Sequence, residues 1–250
     1  MIVFAHRGAS GYAPENTLAA FDLALELGTN AIESDVLFTA DGKLIFHHDA
    51  TIKLFGYVPF PVLLLPFSYF NNRGANFMER NLRVSDIFHT YFQRDLINEI
   101  LWSLDVPNTR SFKKLAKVVK SYGIGQNIYA CNTTGRGFKK WRKIAPAINL
   151  VWSIRGHHIQ SLTNNEIIGR CKFLDVDVLN IKVTEANQSL VKKAKASGLK
   201  VFIWDVHDKE RYNIALNFTP DAIYSNFPDK ALNGFKSPVI KHKRFQKQHN

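Results

Sequence analysis

A closed α/β barrel of eight parallel strands is the fold this sequence predicts, and three observations predict it. The chain has 250 residues, which suits one such barrel without requiring a second domain. Short β-branched runs alternate with helical patterns along most of its length, as repeated βα units do. Finally, the polar residues capable of chemistry fall at the ends of the early strands, where a barrel gathers its loops. With 46% hydrophobic and 22% charged residues the chain can fill a core, which excludes a disordered, fibrous or coiled-coil protein.

The candidate strands are 2–5, 31–36, 43–47, 101–106, 127–131, 149–154, 176–181, 200–206 and 222–225. Nine is one more than the barrel needs. The second and third are separated by Leu37-Phe-Thr-Ala-Asp-Gly42, too short for a crossover helix, so they read as a hairpin or as a barrel step without its helix. After the first strand, Asn16 or Thr17 can cap a helix with Leu18, Phe21 and Leu25 at helical spacing and Gly28 as its terminator. A helix over 111–122 turns Phe112, Leu115, Val118, Val119 and Tyr122 inward, exposes Lys113, Lys114, Lys117 and Lys120, and ends at Gly123. A third helix, over 137–144, buries Phe138, Trp141 and Ile144 and exposes Lys139, Lys140, Arg142 and Lys143. As successive barrel helices, the last two are neighbours and form one basic wall.

Two segments break the alternation. Residues 51–83 include the apolar run Tyr57 to Phe70, whose three prolines forbid a regular helix and whose lack of polar alternation argues against a strand. This reads as an inserted loop over the active-site mouth, a candidate wall for acyl chains or an edge dipping into lipid. The barrel domain is read as 1–235. Residues 236–250, with five Lys/Arg and no acid, form a basic tail expected to be mobile.

The formal charge of +12 is unevenly spread. Residues 1–105 hold 12 Asp/Glu and 7 Lys/Arg, whereas 106–165 hold 11 Lys/Arg and no acid. Such a stretch attracts anionic lipid, phosphorylated ligands or nucleic acid. A nucleic-acid binder would expose aromatics among its lysines, but Phe112, Phe138 and Trp141 face inward, so no nucleic-acid partner is expected. Cys131 and Cys171 make no disulfide framework or zinc cluster, and no apolar run is long enough to span a membrane. These features, with an N-terminus lacking a leader pattern, predict a cytoplasmic protein with peripheral contact at anionic membrane as an option.

The chemistry concentrates in His6-Arg7-Gly8, Glu33-Ser34-Asp35 and His47-His48-Asp49. Glu33 and Asp35 are two apart on a strand and share a face, an oxygen cradle for a hard divalent cation, to which Asp105 on another strand can add a third ligand. His6 and His48 can exchange protons near neutrality, and Arg7 can hold an anionic oxygen. Adjacent residues on a strand face opposite ways, so one of His47 and His48 enters the pocket, and His48 is the one expected there.

The run from His6 to Phe21, then Glu33-Ser-Asp35, Asp41-Gly42 and Phe46-His47-His48-Asp49, resembles the glycerophosphodiester phosphodiesterase family. Weaker echoes at Val84-Ser-Asp-Ile, Ser103-Leu-Asp105-Val, Val201-Phe-Ile-Trp204 and Ser225-Asn-Phe-Pro228 bring the coverage to roughly half the chain. The resemblance implies a TIM-type barrel that hydrolyses glycerophosphodiesters to glycerol 3-phosphate and an alcohol with one bound Mg²⁺ or Ca²⁺. It makes Glu33, Asp35 and Asp105 metal ligands, His6 and His48 the acid/base pair and Arg7 a phosphate contact. Asp105 stands where the family usually has Glu. The lysine usual two residues later is Pro107 here, and Lys182 at the end of a later strand is the expected substitute. Asp205 and His207 replace the family's Thr and Asn around Trp204, itself a candidate floor for the substrate pocket. Two rival readings accompany this one: lysophospholipase D activity, favoured by the apolar insert, and a catalytically weak barrel binding phospholipid or nucleic acid through its basic wall.

Overall fold

The computed structural model describes residues 1–54, 57–71 and 82–236. The expected tail, 236–250, lies outside these apart from Lys236. Strands β1 (Ile2–His6), β2 (Ala31–Phe38), β3 (Leu44–Phe46), β4 (Thr51–Leu54) and β5 (Val58–Pro61) precede the longer βα succession, with helix α1 (Leu18–Glu26) between β1 and β2. Helices α2 (Phe67–Asn71) and α3 (Val84–Gln93) lead to β6 (Leu101–Asp105), α4 (Thr109–Tyr122), β7 (Ile128–Asn132), α5 (Phe138–Ile144) and β8 (Asn149–Ser153). Then come α6 (Gly156–Ser161), α7 (Asn164–Leu174), β9 (Val178–Lys182), α8 (Gln188–Ala196), β10 (Lys200–Trp204), α9 (Lys209–Leu216), β11 (Ala222–Ser225) and α10 (Pro228–Leu232).

Eight strands run parallel in the order β1-β2-β6-β7-β8-β9-β10-β11, and β11 pairs with β1 to close the barrel. The ninth strand of the sequence reading is β3, antiparallel to β2 with Val36 opposite Phe46, which makes the pair a hairpin. Side chains alternate in and out along each strand. Inside, Phe4, Tyr129, Val151, Val178, Phe202 and Tyr224 form one buried cluster with Ala31, Cys131 and Ala222. Outside, Trp102, Leu104, Leu150, Trp152, Leu179 and Ile203 pack against the helices. The predicted helices follow. Thr17 caps α1 by accepting from Ala20 N, and Asn108 caps α4 by accepting from Ser111 N.

Helices α4 and α5 are neighbours as expected, with Phe112 and Trp141 stacked at 4.4 Å and the Trp141 indole N–H donating to Thr109 Oγ1. One member of the expected wall differs. Arg142 does not point to solvent with the lysines; its guanidinium reaches Asp177 (2.6 Å) and Asp175 (3.2 Å), carboxylates at the turn into β9.

The insert corrects the expectation of a loop without strands. Thr51–Leu54 and Val58–Pro61 pair antiparallel, with Pro59 opposite Lys53 and Pro61 opposite Thr51. A two-residue period puts both prolines at equivalent places on a two-stranded ladder, where edge strands tolerate missing N–H groups. Beyond it, Val62, Leu65 and Phe70 bury against Ile45 of the hairpin in a small core of their own.

Gly123 adopts φ 71° with open space around its missing Cβ, whereas at Gly8 (φ 79°) a Cβ would lie 2.7 Å from the Ala20 backbone carbon. Gly123→Ala should therefore cost about 1 kcal/mol, the left-handed strain alone, and Gly8→Ala clearly more. Urea unfolding midpoints read the difference; equal losses would contradict the close packing of the first loop on α1.

Candidate active site

The functional groups stand at the C-terminal ends of the parallel strands because the register places them there. Glu33 on β2 lies beside His6 on β1 and Ser103 on β6, and Asp35 lies beside Asp105. All continue the inward phase of their strands, so the cluster is the top layer of the barrel interior. Oxygens of Glu33, Asp35 and Asp105 all come within 4.8 Å of one another. They line a cavity of about 240 Å³ together with His6, Arg7, His48 and Trp204.

The loop after β1 holds its residues tightly. Arg7 takes φ 57°, an uncommon conformation for a residue with a side chain, and its backbone N–H donates to Glu33 Oε2 at 3.0 Å. Its guanidinium lies 3.3 Å from Asp35 Oδ2 and 2.9 Å from Glu15 Oε2. Arg7 thus neutralises the acid cluster as well as facing the cavity. The buried Asn16 accepts from Ser34 Oγ at 2.5 Å, tying the end of the loop to β2.

The carboxylates repel one another in a dry setting. Burial, then the charges of Asp35 and Asp105, pushes Glu33 well above the usual carboxylate range, and burial with Asp105 raises Asp35 to about 6. Beneath them the buried Cys131 thiol is pushed up by burial and by Asp105, to which it is hydrogen-bonded. Three carboxylate oxygen donors this close together suit a hard divalent cation. A further fit is that the buried Oδ2 of Asp35 accepts no hydrogen bond, although Arg7 is close by.

The two imidazoles differ. His6 donates from Nδ1 to Asn226 Oδ1 (2.7 Å), leaving Nε2 as an acceptor 3.7 Å from Glu33. Burial, then Arg7, lowers it to about 3. His48 is more exposed, lines the cavity, and has Nδ1 2.8 Å from Asp49 Oδ1, which frees its Nε2 for the pocket. His47 turns the other way, its ring 5.6 Å from that of Phe70 in the insert.

Lys182 is held away from the position expected of it. It pairs with Asp205 (3.5 Å) beside Trp204 and does not line the cavity. Asp205 also binds Arg211 (3.2 Å) and faces His207 Nε2 (3.5 Å). His207 Nδ1 in turn accepts from the backbone N–H of Asn226, whose side chain holds His6. The cation lining the cavity beside Arg7 is Arg155, at the end of β8, its guanidinium carbon 4.7 Å from the centre of the Trp204 ring. Among the described residues it makes no ion pair. No described residue of the insert lines this cavity.

Sequence reasoning missed Arg155, Asn226, Ser103, Ser153, Asn180 and Tyr224. Four of these carried a usable signal. Ser103, Ser153, Asn180 and Tyr224 are polar residues in phase with inward neighbours, and Ser103 and Tyr224 meet across the barrel at 2.9 Å. Asn226 stood in a quoted motif without a role.

A closed barrel with carboxylates, imidazoles and arginines converging at one end defines a barrel enzyme that handles an anionic substrate. The chain belongs to the glycerophosphoryl diester phosphodiesterase family, whose model matches residues 6–230, and it is an enzyme, a phosphodiesterase. A glycerophosphodiester phosphodiesterase of Caldanaerobacter subterraneus is 26% identical over 251 residues, covering 93% of this chain and 96% of the relative. One from Bacillus subtilis is 47% identical over 49 residues, 20% of this chain and 17% of its own. Among solved structures, an Oleispira antarctica phosphodiesterase in complex with the product sn-glycerol-3-phosphate superposes with a TM-score of 0.78 at 21% identity, covering 95% and 97% of the two chains. A Thermotoga maritima glycerophosphodiester phosphodiesterase does so at 0.74 with 17% identity, covering 93% and 97%. No helix among the described residues is long and apolar enough to cross a membrane.

In ion-free protein His6 should stay neutral, protonated on Nδ1, from pH 8 down to pH 5, because its lowered value places protonation well below that range. Imidazole ¹⁵N shifts report this; a midpoint near 6.5 would show that burial and Arg7 do not control the ring.

Proposed function

We propose that the protein hydrolyses glycerophosphodiesters to glycerol 3-phosphate and an alcohol, with a divalent cation, Mg²⁺ or Ca²⁺, held by Glu33, Asp35 and Asp105 and with His6 and His48 moving the protons. The observation that carries this is the convergence of three carboxylates with two imidazoles and two arginines in one pocket. A binding barrel has no need of that set. The cation would polarise the phosphoryl oxygens and offset the charge that develops on them.

Each side chain has a task its geometry fits. His6, neutral and with Nε2 unprotonated, accepts the proton of the attacking water as the new P–O bond forms. His48, its Nδ1 held on Asp49, gives an Nε2 proton to the alcohol oxygen as the old P–O bond breaks. Asn226 fixes the tautomer of His6, and His207 steadies Asn226 from behind. Arg7 and Arg155 face the cavity as planar donors suited to phosphoryl oxygens, and Trp204 holds Arg155 by stacking. This reading assigns to Arg155 the charge first sought in Lys182.

A second reading, activity on lysophospholipids at an anionic membrane surface, draws on one observation. The insert leaves Tyr57, Val58, Leu63 and Leu64 exposed, with Tyr57 at 77%. Each methylene buried there is worth about 0.8 kcal/mol. Leu63→Ser with Leu64→Ser should lower turnover of vesicle-borne lysophospholipid several-fold and spare soluble glycerophosphodiesters; equal rates on both substrates would end this reading.

Release of glycerol 3-phosphate from glycerophosphocholine or glycerophosphoethanolamine, measured with each ion and with excess chelator, tests the main reading. Full turnover in chelator would exclude the cation. His6→Ala and His48→Ala should each reduce kcat by roughly 10² or more, while His47→Ala stays within a few-fold. Arg155→Ala should lower kcat/KM far more than Lys182→Ala, and the reverse order would return the phosphate role to Lys182.

The cation should raise Tm, since it binds only the assembled site. Asp35 binds a proton below about pH 6 in the ion-free pocket, and the ion must displace it. The ion-dependent gain should therefore be full at pH 8 and shrink as pH falls through 6. A gain independent of pH would place the ion elsewhere.

A further inference from the structure

Beside the carboxylate pocket, the same end of the barrel carries a larger hollow of about 640 Å³. The loop after β7 walls one side, His157 and His158 of α6 another, and Arg170 and Phe173 of α7 the third. Arg136, Lys139, Lys140 and Arg170 line it, and no Asp or Glu does among the described residues. None of these four cations makes an ion pair there. Lys139 Nζ instead lies 3.4 Å from the centre of the Phe173 ring, and Arg170 lies over Trp152. Four uncompensated cations around one concavity hold a positive potential that an anion would relieve. Burial first, then His157 and Arg170, lowers the pKa of His158 on its wall.

A third, smaller hollow lies between the two, with lining residues in common with each. This groove of about 170 Å³ shares Asp35, His48 and Asp105 with the carboxylate pocket and Thr133 with the basic hollow. Pro107 lines this groove, offering no charge to stop a ligand midway. On the other flank the Arg155 backbone N–H donates to His158 Nδ1 at 3.1 Å, so the turn that presents Arg155 to one pocket also sets the wall of the other. The groove begins at His48, the group assigned to the departing alcohol. An alcohol leaving past His48 would meet this groove first.

We infer that the basic hollow receives the alcohol half of the substrate and selects alcohols that carry a phosphate of their own. This rests on the phosphodiesterase reading and narrows its substrate class to glycerophosphodiesters with a second phosphate on the leaving side. A choline head group would meet like charge there.

Hydrolysis of glycerophosphoinositol and of glycerophosphoinositol 4-phosphate at 0.15 M salt, a value at which exposed charges are screened beyond about 8 Å, tests the preference. The wild-type protein should favour the phosphorylated substrate at least ten-fold in kcat/KM. Arg136→Gln, Lys139→Gln and Arg170→Gln combined should erase that preference, lowering kcat/KM on the phosphorylated substrate at least ten-fold more than on glycerophosphoinositol; Arg136→Gln with Lys139→Gln, which spares the contact on Trp152, should erase most of it. A wild-type ratio near one, or a ratio the variants keep, overturns the inference. Calorimetric titration with myo-inositol 1,4-bisphosphate needs no turnover. Binding at least ten-fold weaker in the triple variant supports the site, and equal binding overturns it. If no glycerophosphodiester is hydrolysed while bisphosphate binding still depends on the three cations, the reaction is misread and the anion site stands. If the variants lose phosphatidylglycerol vesicles yet treat all soluble ligands alike, the hollow is a membrane surface and the inference falls.

Discussion

The mutual repulsion of Glu33, Asp35 and Asp105 is the constraint around which the rest of the molecule is arranged. Three carboxylates with oxygens within 4.8 Å cannot all ionise in a buried pocket without counter-charge, and the raised pKa values of Glu33 and Asp35 express that conflict. Folding brings them together regardless, because strand register and a two-residue period leave no other place for them. The surrounding barrel of Phe4, Tyr129, Phe202 and Tyr224 supplies the apolar packing that holds the strands in register against the repulsion.

Counter-charge from the protein itself is incomplete. Arg7 is divided between Asp35 and Glu15, and its backbone N–H is spent on Glu33. That sharing requires Arg7 to sit at φ 57°, a strain retained because Gly8 lets the next turn rest directly on α1. His6 adds no charge: burial, and then the Arg7 charge that offsets the carboxylates, keeps the imidazole neutral. One arrangement therefore leaves an unfilled demand for positive charge at the acids and a ready proton acceptor beside them. The proposed metal-assisted hydrolysis would draw on both, and both follow from the same packing.

The eightfold alternation, the short β2–β3 connection, the N-cap of α1, the Gly123 end of α4 and the positions of His6, Arg7, Glu33, Asp35, His48, Asp105 and Trp204 were legible in the sequence. Short-range patterns encode all of them: period two on strands, a capping residue before a helical stripe, polar residues at strand ends. Partnerships across the barrel were not legible. Lys182 looked free until Asp205, twenty-three residues later, was seen beside it, and Arg155 looked like any loop cation until β10 brought Trp204 beneath it. The strands of the insert escaped because their prolines contradict strand propensity, and only an isolated two-stranded ladder accommodates them. Arg142 shows the reverse error, since its helical position faces outward while its length lets it reach Asp177.

The basic character of residues 106–165 acquires a finer meaning from these partnerships. Cations elsewhere at this end of the barrel are committed to carboxylates: Arg7 to Asp35 and Glu15, Lys182 and Arg211 to Asp205. Arg155, Arg136, Lys139 and Arg170 have aromatic rings or solvent as neighbours rather than acids. A cation on an aromatic face keeps most of its charge available to a ligand, whereas one in an ion pair has already given it up. Arg155, Arg136 and Lys139 of the acid-free stretch, with Arg170 just beyond it, thus keep their charge uncommitted, whereas Arg142 of the same stretch spends its own on Asp177 and Asp175. Arg136, Lys139 and Arg170 gather around the basic hollow next to the groove that His48 lines, so an anion there would complete their electrostatics as a cation would complete those of the acids.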